Sequence, residues 1–284
     1  MRDTALTQAL IEALPYIQKF AGTTVVIKYG GAAMIDAALK ASFAQDISLL
    51  WHLGLKVIVV HGGGNEITTL AEKLNIPSRF VEGRRVTDEQ MLDLVKMVLA
   101  GKINKEIVCT LNRQNVNAIG LSGQDANLLK CRKQYLESGQ DIGWVGEIVR
   151  VNTDILKKML NDGIIPVLAP IGYDDEGNSY NINADSAAGS IAGALPAEKL
   201  IYISDVPGVL RGEELISSMI EDEAHAMIAA GVITQGMIPK VTSAFETLHQ
   251  GVRKVHILDG RVVHALLLEI YTDSGVGTQF ILQR

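Results

Sequence analysis

The chain has few of the residues that mark disulfide-stapled, disordered or collagen-like proteins. Only two of its 284 residues are cysteine, seven are proline, and 5% are aromatic. Cys109 and Cys131 have neither metal-ligand spacing nor a neighbouring cysteine, so we expect both to pack as ordinary thiols in a reducing compartment. A disulfide framework is thereby excluded, and a hydrophobic fraction of 48% is ample for a buried core.

Long apolar runs and an excess of basic charge are also missing. No run reaches the roughly 18 residues that a membrane helix needs. The formal net charge of −6 and the isoelectric point near 5.6 argue against nucleic acid or an anionic membrane as the main partner. Gln8 and Glu12 interrupt the apolar core that a signal peptide would require. We therefore expect a cytoplasmic protein.

Short runs of Val, Ile and Leu alternate with segments of helical periodicity. These runs are typical of parallel strands buried on both faces, and they predict strands at 24–29, 56–60, 117–121, 164–169, 199–203 and 254–258. The periodicity predicts helices at 5–20, 36–53, 65–74, 88–114, 184–195, 221–230 and 238–250. An antiparallel hairpin is predicted at 127–151. The fold class is therefore α/β, with an open, mainly parallel sheet sandwiched by helices.

The predicted N-terminal helix (5–20) is amphipathic and belongs to no βα unit. Its apolar residues fall on one face, namely Leu6, Leu10, Ala13, Leu14 and Ile17. We expect this face to be buried on its own domain or on another subunit. The rest of the chain shows no linker, so residues 1–284 are predicted to form a single domain whose halves are about 21–180 and 181–284.

Glycines follow two of the predicted strands, at the edge where open α/β sheets bind ligands. Lys28 precedes Gly30 and Gly31, whose backbone N–H groups can converge on an anion. Residues 61–64 read His-Gly-Gly-Gly before a helix N-terminus, where an oxyanion can contact the main chain. Taken alone, the first segment is also compatible with a plain strand end. The G-x-G-x-x-G dinucleotide pattern and the G-x-x-x-x-G-K-[ST] phosphate loop are both missing.

Amides and charges form a second group of candidates. Arg85 has a guanidinium suited to a carboxylate, although a solvated charge is the alternative. Asn181, Asn183 and Asp185 directly precede or open a small-residue helix, and capping explains only one of them. Lys240 lies in the first turn of a helix, where an ammonium is unfavourable unless an anion is near.

Together these segments resemble the amino acid kinase family over essentially the whole chain. The resemblance is to its members that phosphorylate the γ-carboxylate of N-acetyl-L-glutamate with ATP, in arginine biosynthesis. It rests on motifs that occur in order: Lys28 with Gly30 and Gly31, then 61–64, 85–87, 101–105, 181–185, 204–209 and 236–240. It implies a phosphotransferase that forms an acyl phosphate, with the acid bound in the first half and the nucleotide in the second.

The resemblance also implies roles for single residues. Lys28 and Lys240 would neutralise the migrating phosphoryl group, and Asp185 would orient them. N-acetylglutamate would be bound by Gly63, Gly64, Arg85 and Asn181. The nucleotide and its phosphates would lie against Gly30, Gly31, Ser204, Asp205, Val206, Pro207, Gly208, Val209, Thr234, Gly236 and Met237. Mg²⁺ would be held mainly by the ATP phosphates, and the ionised γ-carboxylate needs no general base.

Both ends of the chain resemble those of arginine-inhibited family members. In these, paired N-terminal helices join dimers into a ring-shaped hexamer, so the resemblance implies a homo-oligomer built as a trimer of dimers. Inhibitory arginine would be contacted by Lys199, Glu269 and Gly277, with Tyr16 close by. Glu269 suits its guanidinium and Lys199 its carboxylate. An N-terminal helix that only clamps subunits together is the alternative.

Four positions depart from the family pattern without removing a charged residue assigned to catalysis, namely Ala32, Asn65, Gln124 and Gln235. Gln235 adds a side chain beside the expected nucleotide site. Two other functions remain open. One is a kinase of another small acid, such as aspartate, glutamate or carbamate. The other is a non-catalytic arginine-binding regulator, which would be expected to lose Lys28 or Lys240. The missing dinucleotide pattern argues against a dehydrogenase.

Overall fold

The computed structural model describes residues 2–234, 236–272 and 275–283, and of residues 2–6 and 9 it describes the backbone alone. The helices are α1 Arg2–Phe20, α2 Ala37–His52, α3 Gly64–Lys73, α4 Glu89–Lys96, α5 Asn104–Asn112, α6 Asp154–Asn161, α7 Ala184–Ala194, α8 Glu221–Ala229, α9 Ile238–His249 and α10 Ala265–Tyr271. The strands are β1 Thr24–Tyr29, β2 Lys56–His61, β3 Phe80–Val81, β4 Arg84–Arg85, β5 Ala118–Ser122, β6 Leu129–Tyr135, β7 Asp141–Val151, β8 Ile165–Ala169, β9 Ile171–Tyr173, β10 Ser179–Asn181, β11 Lys199–Ser204, β12 Leu210–Arg211, β13 Glu214–Leu215, β14 Ser218–Met219, β15 Lys254–Asp259 and β16 Thr278–Phe280.

An eight-stranded sheet forms the middle layer, in the order β14-β16-β15-β11-β1-β2-β8-β5. Neighbours from β15 to β5 pair in parallel, whereas β16 is antiparallel to β15. Strand β1 lies between β2 and β11, and its Val26 pairs with Ile58 on one side and Leu200 on the other. The predicted fold class is confirmed.

The central strands send side chains into a core on each face of the sheet. On β1, Val25 and Ile27 enter one core and Val26 enters the other, and all three are fully buried. Phe43 of α2 fills the first core, and Ile191 of α7 fills the second. This two-sided burial explains why the strands read as continuous apolar runs.

The predicted hairpin is confirmed as β6 and β7, which pair antiparallel between Leu129–Val151 and Tyr135–Asp141. Strands β9 and β10 close with them into a small four-stranded barrel. Asn181, the last residue of β10, pairs with Val145 of β7. The barrel therefore fixes the position of Asn181 just before α7 begins.

Local details differ from the sequence-based expectation. The helix expected at 88–114 is interrupted by a π-helical turn at Met97–Ile103, between α4 and α5. Helices α6 and α10 were not expected, since they are only 8 and 7 residues long and give too short a window for periodicity to be recognised.

The apolar face of α1 is only partly covered. Ala13 and Ile17 pack against the first core, whereas Leu10 and Leu14 are 61% and 48% exposed. The chain's own domain therefore does not bury Leu10 and Leu14, so for them burial on another subunit, the other expected alternative, stays a prediction. The side chain of Leu6 lies outside the described residues. Among the described helices, α1 included, none has both the length and the apolar character needed to span a bilayer.

Asp36 caps α2, and its replacement should weaken the fold. Its Oδ1 accepts hydrogen bonds from the Ala38 and Leu39 amides at 2.8 and 2.9 Å. We expect Asp36→Ala to cost about 1 kcal/mol, which lowers the calorimetric Tm by about 2–4 °C in a chain of this size. Asp36→Ser, which keeps a capping oxygen, should stay near wild type, and an unchanged Tm in the alanine variant would contradict this prediction.

Candidate active site

Two lysines that are far apart in the chain meet at one aspartate. Lys28 lies near the end of β1, Lys240 in the first turn of α9, and Asp185 in the first turn of α7. Lys28 Nζ is 3.0 Å from Asp185 Oδ1, and Lys240 Nζ donates to Oδ2 at 3.4 Å. Burial alone would raise the pKa of Asp185, but the two ammonium charges outweigh it and lower that pKa. The three side chains together carry one excess positive charge, which suits an anion.

The glycines after β1 allow close approach to this charge cluster. A Cβ at Gly30 would lie 2.5 Å from Lys28 Nζ, so a larger residue there would displace the end of the lysine from its present position against the main chain. Gly31 has a φ of +69°, and a Cβ at that position would collide with the carboxylate of Asp205. Asp205 Oδ1 accepts a hydrogen bond from the Ala32 amide at 2.5 Å. Sequence reasoning missed this contact, because nothing local pairs residues 173 positions apart.

The residues predicted to bind the acid lie around one cavity of about 210 Å³. The cavity is lined by all four of them, Gly63, Gly64, Arg85 and Asn181. Other lining residues were not predicted, among them Phe80, Gln134, Val145 and Ile182. Most of these residues belong to the small barrel or its flanks. They reach the cavity only because the barrel closes, and the sequence does not show that closure. A larger cavity of about 580 Å³ between α2 and α5 contains none of the predicted residues.

Arg85 is a buried guanidinium with neutral partners. It is 8% exposed, and its Nη2 donates to the Gly64 carbonyl and to Thr68 Oγ1, both at 2.9 Å. Nη1 donates to Ser78 Oγ, and the Phe80 ring centroid is 4.6 Å from the guanidinium carbon. Burial lowers the pKa of Arg85. A cation held this way by neutral groups is well placed to bind a carboxylate from outside the chain.

The Thr87 hydroxyl links Arg85 to Asn181 through two hydrogen bonds. Thr87 is fully buried; its Oγ1 donates to the Arg85 carbonyl at 3.0 Å and accepts from Asn181 Nδ2 at 3.1 Å. Asn183 instead caps α7, its Oδ1 accepting from the Asp185 and Ser186 amides at 2.9 and 3.0 Å. The expectation that capping explains one of the three residues is confirmed for Asn183, and Asn181 is left lining the cavity.

Apart from Gly30 and Gly31, the residues predicted to bind the nucleotide lie in two loops of the second half of the chain. Ser204, Asp205, Val206, Pro207, Gly208 and Val209 end or follow β11. Gly208 has a φ of +138° and lies close to Thr278, whose Oγ1 accepts from the Val209 amide at 2.8 Å. Thr234, Gly236 and Met237 precede α9, with the Met237 amide donating to the Thr234 carbonyl at 2.9 Å. This second loop leads directly to Lys240. Gln235 lies outside the described residues.

The residues predicted to bind arginine lie at the opposite end of β11. Lys199, its first residue, is 4% exposed, and its Nζ is 4.8 Å from the Phe20 ring centroid. Burial, aided by the charge of Lys254 and opposed by that of Glu269, lowers the pKa of Lys199 to about 8.

Glu269 lies close to that lysine but has partners of its own. Its Oε1 accepts from His256 Nδ1 at 2.6 Å, and its Oε2 accepts from the Val276 and Gly277 amides at 2.8 and 3.2 Å. Burial lowers the pKa of His256 to about 4, so this histidine is a neutral donor. Glu269 and Gly277 are therefore in direct contact, and Tyr16 packs against the first core.

Comparison with known proteins identifies the family of the chain. The model of the amino acid kinase family matches residues 23–259. The chain belongs to the amino acid kinase family. It is 53% identical over 280 residues to an acetylglutamate kinase of Pelodictyon phaeoclathratiforme, covering 99% of this chain and 91% of the relative. An acetylglutamate kinase of Syntrophus aciditrophicus is 49% identical over 291 residues, covering 99% of this chain and 98% of the relative. The predicted family, and with it an enzyme of the phosphotransferase class, is confirmed.

Solved structures share the fold. N-acetylglutamate synthase of Neisseria gonorrhoeae, complexed with coenzyme A and N-acetyl-glutamate, superposes with a TM-score of 0.88 at 28% identity, covering 98% of this chain. The chain spans 64% of that synthase's length. Carbamate kinase of Giardia lamblia superposes with a TM-score of 0.66 at 17% identity, covering 93% of this chain and all of the other, which is a likeness of fold alone.

Replacing Asp185 should destabilise the protein in a pH-dependent way. The three charged side chains are only 13–27% exposed, so we expect Asp185→Asn to cost about 1–3 kcal/mol at pH 7, less than a fully buried pair would. Because folding lowers this pKa, the stabilisation is complete above the pKa of about 3.9 of an unfolded aspartate and is lost as pH falls through the folded value. The difference between the calorimetric Tm values of variant and wild type should therefore stay nearly constant from pH 7 to about 5 and narrow as the pH falls below about 4.

A surface pair supplies the matched control for this experiment. Asp175 pairs with Lys130 at 2.6 Å but is 77% exposed, so Asp175→Asn should change stability by no more than about 0.5 kcal/mol. Equal Tm values for Asp185→Asn and wild type at pH 7 would show that the aspartate does not hold the lysines together.

Proposed function

We propose that this chain transfers the γ-phosphoryl group of ATP to the γ-carboxylate of N-acetyl-L-glutamate, forming an acyl phosphate in arginine biosynthesis. The observation that carries the proposal is the meeting of Lys28 and Lys240 at Asp185, which directly follows Ala184, a residue that lines the cavity with Arg85. The names of relatives about 50% identical over nearly the whole chain support the same reaction.

The charge cluster suits phosphoryl transfer to a carboxylate. The acceptor is already ionised at neutral pH, so no group has to remove a proton from it. What the reaction requires is alignment of two anions and neutralisation of the charge on the phosphoryl oxygens. Lys28 and Lys240 supply two ammonium groups, and Asp185 keeps them within reach of one point. The reaction therefore depends on positioned positive charge rather than on a catalytic base.

The cavity suits an acid with a second carboxylate and an amide. Arg85, whose protein partners are neutral, would bind the carboxylate that does not react through Nε or Nη1, because both hydrogens of Nη2 are donated to Gly64 and Thr68. Asn181 lies on the same cavity, oriented by Thr87, and its amide can pair with the acetamido group of the substrate. The γ-carboxylate would then lie towards Gly63, Gly64 and the lysines.

Mg²⁺ would accompany the nucleotide rather than occupy a protein site. The carboxylate of Asp185 is already paired with two ammonium groups, so it is a poor ligand for a metal ion. When bound, Mg²⁺ neutralises charge on the ATP phosphates. The chain itself would bind those phosphates through the Gly30 and Gly31 turn and the loops at 204–209 and 234–237.

The direct test is to measure acyl phosphate formation, trapped with hydroxylamine, and ADP release with ATP and Mg²⁺. N-acetyl-L-glutamate should be used far more efficiently than aspartate, glutamate or carbamate. Preference for one of those acids would instead identify a sibling kinase. No turnover with any of them, combined with arginine binding, would identify a non-catalytic regulator.

Removing either lysine should reduce turnover much more than substrate affinity. Neutralisation of the phosphoryl oxygens is strongest in the transition state, so we expect Lys28→Ala and Lys240→Ala each to lower kcat by about 10²–10³-fold, with both KM values within a few-fold of wild type. Lys130→Ala is the control, because this lysine is 27% exposed, as Lys240 is, but pairs with Asp175 and does not line the cavity. Near-normal turnover in both lysine variants would refute the assigned roles.

We further propose that arginine inhibits the enzyme and that the chain forms a homo-oligomer, a hexamer built as a trimer of dimers. The proposal follows from the resemblance of both termini to arginine-inhibited family members. It is supported by the exposed Leu10, Ile11 and Leu14 on α1, which a second copy of α1 could cover. It is also supported by a buried cation and a buried carboxylate, Lys199 and Glu269, which are close enough that the charge of each shifts the pKa of the other.

Arginine inhibition should weaken as the pH rises. Lys199 must be protonated to bind the arginine carboxylate, and its pKa is lowered to about 8, so the protonated fraction falls as pH passes through 8. We expect the inhibition constant for arginine to rise several-fold between pH 7 and pH 9. Lys199→Arg keeps its charge throughout and should show a flatter profile. The amino group of free arginine also titrates in this range, but it affects both proteins equally. If the inhibition constants of wild type and Lys199→Arg change with pH in the same way, Lys199 is not the ligand of the arginine carboxylate.

A further inference from the structure

The histidine that begins the glycine segment at 61–64 has no role in the function proposed above. His61 is the last residue of β2, and its side chain is fully buried. Its Nδ1 is 2.9 Å from the carbonyl oxygen of Gly62. A carbonyl can only accept, so Nδ1 carries the proton of this ring. In a neutral imidazole the other nitrogen, Nε2, is then an acceptor.

Asn104 supplies the donor that this acceptor needs. It is 1% exposed, and its Nδ2 lies 3.2 Å from His61 Nε2 and 2.9 Å from the Val167 carbonyl. A third acceptor, the Leu121 carbonyl, is the most distant of the three at 3.4 Å, so the two hydrogens of the amide nitrogen are assigned to His61 and Val167. Asn104 Oδ1 in turn accepts from Lys105 Nζ at 3.2 Å, and the same ammonium donates to the Gly120 carbonyl at 3.2 Å. All of these contacts require one tautomer of His61 and one orientation of the Asn104 amide.

This network fixes the peptide between Gly62 and Gly63. The Gly62 amide donates to the Tyr29 carbonyl at 2.8 Å, and the Gly62 carbonyl is bound to the His61 ring. In a planar trans peptide the C=O and the following N–H point in opposite directions. Binding of the Gly62 carbonyl by His61 therefore directs the Gly63 N–H away from the ring, and Gly63 lines the cavity of the proposed acid substrate.

The π-helical turn before Asn104 also packs against Gly63. A Cβ at Gly63 would lie 2.4 Å from Ile103 Cδ1 and 2.5 Å from Leu99 Cδ2, and both side chains belong to the turn Met97–Ile103. A π-helical turn inserts a residue into a helix and shifts the side chains that follow it. The turn thus packs against Gly63 and also delivers Asn104 to the His61 ring.

We propose that His61 and Asn104 are positioning residues that hold the Gly62–Gly63 peptide so that the Gly63 N–H donates to the oxyanion of the reacting γ-carboxylate. The inference rests on the proposed function for the identity of that oxyanion. Burial lowers the pKa of His61 to about 4. The hydrogen bond to Gly62 raises this pKa, and the positive charge of Lys105 lowers it further. The ring therefore keeps one proton, on Nδ1, over the working pH range.

The tautomer can be tested without substrate, on the full-length wild-type protein. In ¹⁵N-labelled protein the His61 ring should show a protonated Nδ1 and an unprotonated Nε2 from pH 6 to 8, with the assignment made from the signals lost in His61→Gln. A proton on Nε2 in this range would overturn the proposal, whatever the protein catalyses.

Turnover is tested with Asn104→Asp, which keeps the size of the side chain but replaces the donor by an acceptor. A carboxylate there favours a proton on Nε2, so His61 must become doubly protonated or release the Gly62 carbonyl. We expect kcat to fall about 10- to 100-fold, as for a misplaced oxyanion donor, and to become pH-dependent, while KM for ATP changes little. His61→Gln, which keeps an N–H donor, should retain more activity than His61→Leu.

Asn112→Ala is the matched control, because Asn112 also joins α5 to the sheet through hydrogen bonds to Ala118, at 2.7 and 3.1 Å, but lies away from the glycines. It should lower Tm without lowering kcat. An Asn104→Asp protein with wild-type kcat and pH profile would refute the positioning role. Wild-type protein that turns over no N-acetylglutamate would refute the proposed function instead, and the tautomer measurement would still stand on its own.

Discussion

The attraction of Lys28 and Lys240 to one carboxylate is the interaction on which the candidate site depends. Two ammonium groups brought to the same place would repel each other, and burial would add to the cost. Asp185 offsets both effects, at 3.0 and 3.4 Å, and still leaves one excess positive charge. The same carboxylate therefore holds the lysines before a substrate binds and leaves them free to attract a phosphoryl group.

Strand order places this cluster where the substrates can reach it. The chain goes from β1 to β2 on one side of the sheet and returns to the other side of β1 only at β11. The crevice that such a reversal leaves is open at the carboxyl ends of the strands. Lys28 with its glycines, the segment at 61–64 and the β11 turn all leave the sheet there. The contact between Asp205 and the Ala32 amide joins the turns of β1 and β11 directly.

The sequence predicts features that depend on local patterns and misses those that depend on contacts between distant segments, such as the closure of the small barrel. The strand at Thr24–Tyr29 is recognisable because Val25, Val26 and Ile27 are all buried, so both faces of β1 are apolar in its middle. Asn183 is recognisable as a cap because its hydrogen bonds are to the next turn.

Long-range contacts leave no such local signal. The cavity position of Val145 depends on the barrel that β9 and β10 close, and the Asn104 contact to His61 spans 43 residues. The exposed Leu10 and Leu14 look like core residues in the sequence, because hydrophobic periodicity does not distinguish a core from a surface that another copy could cover.

The two proposed ligand sites lie at opposite ends of one strand. Lys199 begins β11 and Ser204 ends it, about 17 Å apart at the usual rise per residue. Every residue of β11 is buried between β1 and β15, and a close-packed strand has little room to lengthen or bend. An effect of arginine on the reaction would instead have to move whole elements. Helix α10 carries Glu269, and His264 just before it binds Asp46 of α2 at 2.6 Å; α2 in turn follows the glycine turn that contains Ala32. Those helices, rather than the strand, connect the two ends of the sheet.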